Sequence, residues 1–249
     1  MAKQSALGAN LLLGSADLSG DVGAVGTING TRTTQDVTAL NKNAMERILL
    51  LRSGEISFTG FWNAAGIVAT LNAMPTSDLL ATLAIPSVFG AFAVGDPAVS
   101  LNGKQITFDQ TRGQDGSLGV STQILSSGYA IEWGQILTTG QQSFGTGTVD
   151  GTSIDLGATS TLFGAAAYLH VVSHGSGTAT FTIQDSADNS SFSAVTSMAF
   201  TAVTGATSER IQGAVGATVR RYVRVEKTGS STATVATINF VRYLTSQAS

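Results

Sequence analysis

From residue 78 to its end the chain is a succession of short runs in which apolar and polar residues alternate, cut apart by Gly, Asp, Asn, Ser or Pro. Successive side chains of a strand point to opposite faces, so a period of two over such lengths predicts half-buried strands. DLLATLAI (78–85), SVFGAFAV (87–94), AVSLNGKQITF (98–108), SLGVSTQIL (117–125) and YAIEWGQIL (129–137) form a first group. AAAYLHVVS (165–173), TATFTIQDS (178–186), MAFTAV (198–203), TVRRYVRVEKT (218–228) and TATVATINFVRY (232–243) form a second. In TVRRYVRVE, Val219, Arg221, Val223 and Val225 share one face, and Arg220, Tyr222, Arg224 and Glu226 the other. One face is mainly core and the other mainly solvent, and five such strands in about a hundred residues predict an immunoglobulin-like or jelly-roll sandwich.

The earlier part of the chain mixes periods. TRTTQDV reads as extended, TALNKNAMERI as a short helix capped by Thr38, and GEISFTGFW as a strand with Ile56, Phe58 and Trp62 on one face. Gly54 is expected to supply the turn between that helix and that strand. NAAGIVATLNAMP places Ala64, Ile67, Val68, Leu71 and Met74 on one helical stripe that should lie on a sheet, and Pro75 marks its end. The first group is therefore expected to be a β-sandwich or barrel with one packed helix. GQQSFGTGTVDGTS (140–153) interrupts the apolar patterns and predicts a linker at 141–152 between domains 1–140 and 153–249.

Composition narrows the function. Charged residues are 12% of the 249 and apolar ones 43%, which suits a β-rich protein whose faces are covered by copies of itself. Residues 1–150 carry 7 basic and 11 acidic side chains and residues 151–249 carry 6 and 5, so neither half has the concentrated Lys/Arg surface of a DNA-binding module. With no cysteine, disulfides, thiolate catalysis and Cys-ligated zinc are excluded. The N-terminal MAKQSALGANLLLG has one lysine and a three-leucine run, too short for a secretory signal or a membrane span, so use without Sec export is expected.

No constellation for chemistry stands out. His170 and His174 are the only histidines, and two ligands do not make a zinc site; surface histidines are expected instead. A Ser-His-Asp set drawn from these, Asp185 or Asp188 and the many serines is uninformative. GDVGAVG and GTGTVDG lack the spacing of nucleotide-binding loops and read as turns, as does DSADNSSFS (185–193), which lacks the ladder and closing glutamate of a calcium loop. The Arg220, Arg221, Arg224, Lys227 group reads as a solvated face. No catalytic residue, cofactor or metal is expected, and the chain is read as a non-enzyme.

DVTALNKNAMERILLLRSGEISFTGFWN (36–63), followed by the AAGIVATLNAMP helix, resembles the major tail protein of long-tailed bacteriophages in the order of its elements. In that family a loop-like segment ends in a leucine and a turn, a strand of the SFTG type follows, and a helix precedes further strands. Here the pieces are Asp36-Val37-Thr38, Leu51-Arg52-Ser53-Gly54, Ile56-Ser57-Phe58-Thr59-Gly60 and the helix with Leu71. QTRGQDGSLGVSTQ and GYAIEWGQ add to the likeness, which is closest to tail proteins of actinobacterial phages and spans most of residues 7–140. AYLHV, FTIQDSADN and ATVRRYVRV resemble a C-terminal domain appended in those proteins.

The resemblance implies a virion structural protein: a tail tube subunit in stacked rings, usually of six, through which genome DNA is ejected without specific binding. It implies a virion-tail location after a stay in the host cytoplasm, and tape measure and tail terminator proteins as neighbours. Asp36, Glu46, Arg47, Leu49, Leu50, Leu51 and Arg52 are the expected subunit or ring interface, the leucines supplying apolar burial and Glu46, Arg47 and Arg52 the registry. The alternative is that the leucines enter the subunit's own core. A capsid decoration protein shares the same composition, and a carbohydrate-binding module would use Trp133, Tyr168, Phe192 or Tyr222 as stacking platforms, with weak glycan contact by the C-terminal domain.

Overall fold

A computed structural model of the protein describes residues 8–88, 90–157 and 159–246. Residues 1–7 of the N-terminal stretch, and Phe89 of the expected strand SVFGAFAV, lie outside the described residues. In chain order the elements are β1 (Asn10–Leu13), β2 (Ala16–Asp17), β3 (Val22–Asp36), β4 (Arg47–Phe61), α1 (Ile67–Leu71), β5 (Leu79–Ala84), β6 (Pro97–Arg112), β7 (Leu118–Ser126) and β8 (Glu132–Ile136). There follow β9 (Gln142–Phe144), β10 (Val149–Asp150), β11 (Ile154–Asp155), β12 (Ala165–His174), β13 (Thr180–Ser186), β14 (Ser193–Ala199), β15 (Thr207–Gln212), β16 (Tyr222–Thr228) and β17 (Thr234–Arg242). The protein is mainly β, as the alternation requires.

Two compact units divide the chain: Met1–Gly20, Leu80–Ser100 and Glu132–Ser249 form one, Asp21–Leu79 and Leu101–Ile131 the other. They interleave along the sequence, where consecutive segments were expected. Residues 141–152, expected as a linker, contain β9, which pairs with β17, and β10, which pairs with β16.

The smaller unit is a sheet in the order β3-β4-β7-β6. Ile56, Phe58, Val120, Thr122 and Ile124 alternate onto its buried face. The helix lies on that face: a Cβ at Gly60 would stand 2.6 Å from Ile67 Cδ1, and buried Gln105 donates from Nε2 to the Leu71 carbonyl at 2.9 Å. Ile67, Val68 and Leu71 are buried as the stripe predicted. Ala64 and Met74, expected on the same stripe, lie outside α1 and are exposed. Trp62, expected to share the face of Ile56 and Phe58, lies beyond the end of β4 and is partly exposed.

The larger unit is a sandwich. One sheet runs β15-β12-β17-β8-β6-β5-β1-β2 with β9 beside β17, and the other runs β10-β16-β13-β14 with β11 beside β16. Leu169, Val171, Ile238 and Phe240 from the first sheet join Phe181, Ile183, Val223 and Val225 from the second in one core. Phe144 closes it, its ring edge-on to Phe181 at 5.2 Å between centroids. The described residues of SVFGAFAV form only the isolated bridge Val88–Ala91, because Ala91, Ala93 and Val94 follow the turn at Gly90 instead of a neighbouring strand.

Candidate subunit interface

β3 and β4 form a fifteen-residue hairpin whose register runs from Val22↔Gly60 to Asp36↔Arg47. β7 covers β4 only from Glu55 to Phe61, and β3 pairs with β4 alone. Beyond Gly30 and Gly54, which face each other across the pair, the hairpin is therefore a bare two-stranded ribbon. Residues 31–53 are all exposed, and at 3.4 Å per residue the ribbon projects about 24 Å beyond its root. The two glycines fit the root closely against Ile131: a Cβ would lie 2.7 Å from Ile131 Cγ2 at Gly30, and 2.8 Å from the Ile131 nitrogen at Gly54. Gly54 thus sits inside a strand, and the turn expected there does not exist.

The helix expected over TALNKNAMERI does not form either. Asp36 ends β3 with an Asx turn, accepting the Thr38 N–H at 2.9 Å and the Thr38 hydroxyl at 2.5 Å. The same hydroxyl accepts the Glu46 N–H at 2.8 Å, and the Val37 N–H reaches the Glu46 carbonyl at 2.9 Å, so Thr38 closes a loop instead of capping a helix. Lys42 and Glu46 keep their ion pair, at 2.9 Å, without a helix beneath them. The two bonds from Thr38 hold the Asp36 carboxyl below the usual carboxylate range.

All seven expected interface residues lie on this ribbon, from Arg52 near its root to Asp36, Glu46 and Arg47 at its far end. Asp36 and Arg47 are cross-strand partners of opposite sign, whereas Arg32 stands directly opposite Arg52, an arrangement unfavourable in a lone hairpin. Leu49, Leu50 and Leu51 are 61%, 41% and 84% exposed, with Met45 and Ile48 exposed beside them. The leucines do not enter the subunit's own core, because only β3 pairs with this part of β4 and the faces of the pair are exposed. A two-stranded hairpin without a covered face is marginal in water.

The face of the sheet away from α1 is polar. By register it presents Glu55, Ser57, Thr59, Thr107, Asp109, Thr111, Ser121 and Gln123, mostly hydroxyls and amides, with Phe61 at one end and Leu125 and Lys104 beside Glu55 at the other. That alternation was legible in GEISFTGFW and SLGVSTQIL, but only the register shows that the polar members form one continuous face.

Other candidates resolve differently. His170, expected at the surface, is fully buried, bonded through Nε2 to the Thr82 hydroxyl and through Nδ1 to the Gly14 carbonyl, both at 2.7 Å. Burial pulls its pKa down to about 4. Among the described residues no group of three His, Asp or Glu side chains is placed to hold a metal, and no helix is long and apolar enough to cross a membrane. In the basic group, Lys227 is buried rather than solvated and donates to the Gly145 carbonyl at 2.7 Å. Arg221 pairs with Asp155 at 2.6 Å, Arg224 with Asp150 at 3.0 Å and Arg220 with Asp185 at 3.6 Å. Of the possible sugar platforms, Tyr168 is buried, Phe192 is covered by the Arg224 guanidinium at 4.2 Å and Tyr222 by Arg221 at 5.0 Å, leaving Trp133 exposed.

Sequence reasoning missed a buried polar cluster in the larger unit. Arg210 meets Glu132 at 3.0 Å, and Glu132 also accepts the Tyr243 hydroxyl at 2.6 Å and the hydroxyl of Tyr168. Burial and the Glu132 charge push both phenols above their usual range. The cluster ties β8, β12, β15 and the residue after β17 together.

No protein-family model and no curated protein matches the chain. Among solved structures it is similar to a chain of the virion of a native gene transfer agent particle, with 19% identity over 48% of this chain and 92% of that one, at a TM-score of 0.38. A chain from the tail of the empty particle of that kind gives 21% identity over the same shares and a TM-score of 0.35. The SPP1 Dit protein, described as a hub adsorption apparatus of phages infecting Gram-positive hosts, gives 11% identity over 94% of this chain and 99% of that one, at 0.34. All three TM-scores fall below 0.5, a likeness too slight to transfer a role.

Proposed function

We propose that the chain is a structural protein of a bacteriophage tail, and within the tail the major tube subunit, which assembles into stacked rings of six copies around the conduit for DNA ejection. The observation that carries this is the bare β3–β4 ribbon: about twenty exposed residues, three consecutive leucines among them, have no covering surface within their own unit and call for one on another copy. Two further features support it. The long free edge of β3 is a site for adding another copy's strand, and closing such edges into a ring removes a liability to random aggregation. The mostly polar face opposite α1, whose acids Glu55 and Asp109 stand against one lysine, Lys104, itself paired with Asp78, suits a DNA conduit, since every free Lys or Arg contact to phosphate would hold the passing strand.

Assembly in the host cytoplasm, incorporation in the virion tail and contact with tape measure and terminator proteins belong to the same proposal, as does the absence of enzymatic activity. Asp36, Glu46, Arg47, Leu49, Leu50, Leu51 and Arg52 are its interface residues. Fully burying one leucine is worth about 1.5–3 kcal/mol, repeated in every subunit. Leu50→Asp tests the role: it should give a soluble, folded subunit that no longer assembles, and normal tubes from this variant would refute it.

A further inference from the structure

The chain contains two Asn-Gly steps, Asn29-Gly30 in β3 and Asn102-Gly103 in β6, and one Asn-Ser step, Asn189-Ser190. At such steps the following backbone nitrogen can reach the asparagine carboxamide, because glycine has no side chain in the way and serine a small one. The fold treats the three differently. The Asn102 carboxamide donates to Asp78 Oδ2 at 3.0 Å and to the Ser127 carbonyl at 3.1 Å, and Gly103 fits so closely that a Cβ would lie 2.2 Å from the Leu125 carbonyl oxygen. Beyond β13, Ser190 donates its N–H to Asp188 Oδ1 at 3.0 Å, and Asn189 Oδ1 accepts the Ser153 hydroxyl at 2.6 Å. Asn29 and Gly30 are both exposed, and among the described residues β3 pairs with β4 alone. Directly opposed residues of an antiparallel pair point their N–H groups either at each other or both away. Gly54 sends its N–H toward β7, to Ser126 Oγ at 2.8 Å, so its partner Gly30 sends its own away from β4, to the free edge.

We propose that Asn29 is a site of spontaneous deamidation in the free subunit, selected over Asn102 and Asn189 by the unpaired edge of β3. The Gly30 nitrogen gives its proton to solvent and attacks the side-chain carbonyl carbon of Asn29; the new N–C bond closes a cyclic imide, and the amide nitrogen leaves as ammonia. Water then opens the imide at either carbonyl, leaving aspartate or isoaspartate in place of Asn29. Extended backbone does not close this ring, so the reaction passes through local opening of β3, which is easiest on an edge strand with a single partner at the root of a bare ribbon. Ile131 keeps position 30 a glycine, since a Cβ there would lie 2.7 Å from its Cγ2, so the reactive step is retained by packing. Either product sets a carboxylate directly opposite Glu55, a like-charge pair, and the isoaspartyl form lengthens the backbone by a methylene and shifts the pairing of the ribbon beyond it. The inference does not depend on the tube function.

The test is peptide mass mapping, with fragmentation, of the purified protein held dilute in mildly alkaline buffer and of the same protein held in concentrated urea. In buffer the amide of Asn29 should convert at least about tenfold faster than that of Asn102, the ratio that a local opening easier by about 1.4 kcal/mol produces, while Asn189 stays intact. In urea Asn29 and Asn102 should convert at similar rates, since each lies between a bulky aliphatic residue, Ile28 or Leu101, and a glycine. Asn29→Gln, whose longer side chain closes the ring far more slowly, should abolish the acid gained by its peptide. An intact amide at Asn29, conversion at Asn102 or Asn189 that keeps pace with it, or the same ratio of rates in urea as in buffer would overturn the proposal.

Discussion

Acidification offers a quantitative test of the buried histidine. The Nδ1 of His170 faces a carbonyl, which only accepts, so Nδ1 carries the ring proton and Nε2 accepts from the Thr82 hydroxyl. Thr82 has then spent its proton and accepts from Ser100 at 2.7 Å, which in turn accepts from Asn239 Nδ2 at 2.7 Å. The chain of donors runs one way, and a proton on Nε2 reverses its first link. The folded pKa is about 4 against an ordinary 6.5. The unfolded chain binds more protons between these values, so the contribution is fully present above about pH 6.5 and falls as the pH drops toward about 4. A difference of about 2.5 pK units at 1.36 kcal/mol each is about 3 kcal/mol. Urea unfolding of the wild type and of His170→Gln at several pH values from 7.5 to 4.5 isolates this term, since the carboxylates titrate alike in both. The wild type should lose stability relative to the variant by up to about 1.4 kcal/mol per pH unit below pH 6.5. Parallel pH profiles, or a His170 proton titrating near 6.5 by NMR, would refute the reasoning.

Glu132→Gln leaves the Arg210 guanidinium buried without its counter-charge and should cost about 3–5 kcal/mol in denaturant unfolding. Phe144→Ala should cost about 3–5 kcal/mol, because Phe144 is fully buried in the sandwich core; a passive linker at 141–152 would show no change in melting. Glu55→Lys combined with Asp109→Lys should leave the subunit's melting unaltered but make assembled tubes retain duplex DNA at low salt and release it as salt rises, whereas no retention would place that face away from the lumen.

What was legible followed from burial on one side. GEISFTGFW and TVRRYVRVEKT carry a period of two because one face meets a core, and their strands lie close to where the alternation puts them. The distal ribbon had no such signal. Both its faces are exposed, so Thr31–Asp36 and Arg47–Ser53 show no alternation, while Thr38 before TALNKNAMERI was read as a helix cap that the Asp36–Thr38–Glu46 bonds turn into a loop closure. The order of motifs pointed to residues of this ribbon, but not to the shape that presents them. His170 and Lys227 were misplaced because their partners are carbonyls and hydroxyls distant in sequence, which leave no local trace.

Electron microscopy of the purified wild-type protein, over a range of concentrations, tests the central claim most directly. A tube subunit should form rings of six copies that stack into hollow tubes with an axial lumen. Monomers at every concentration, or discrete trimers and capped spikes without a through-channel, would contradict it.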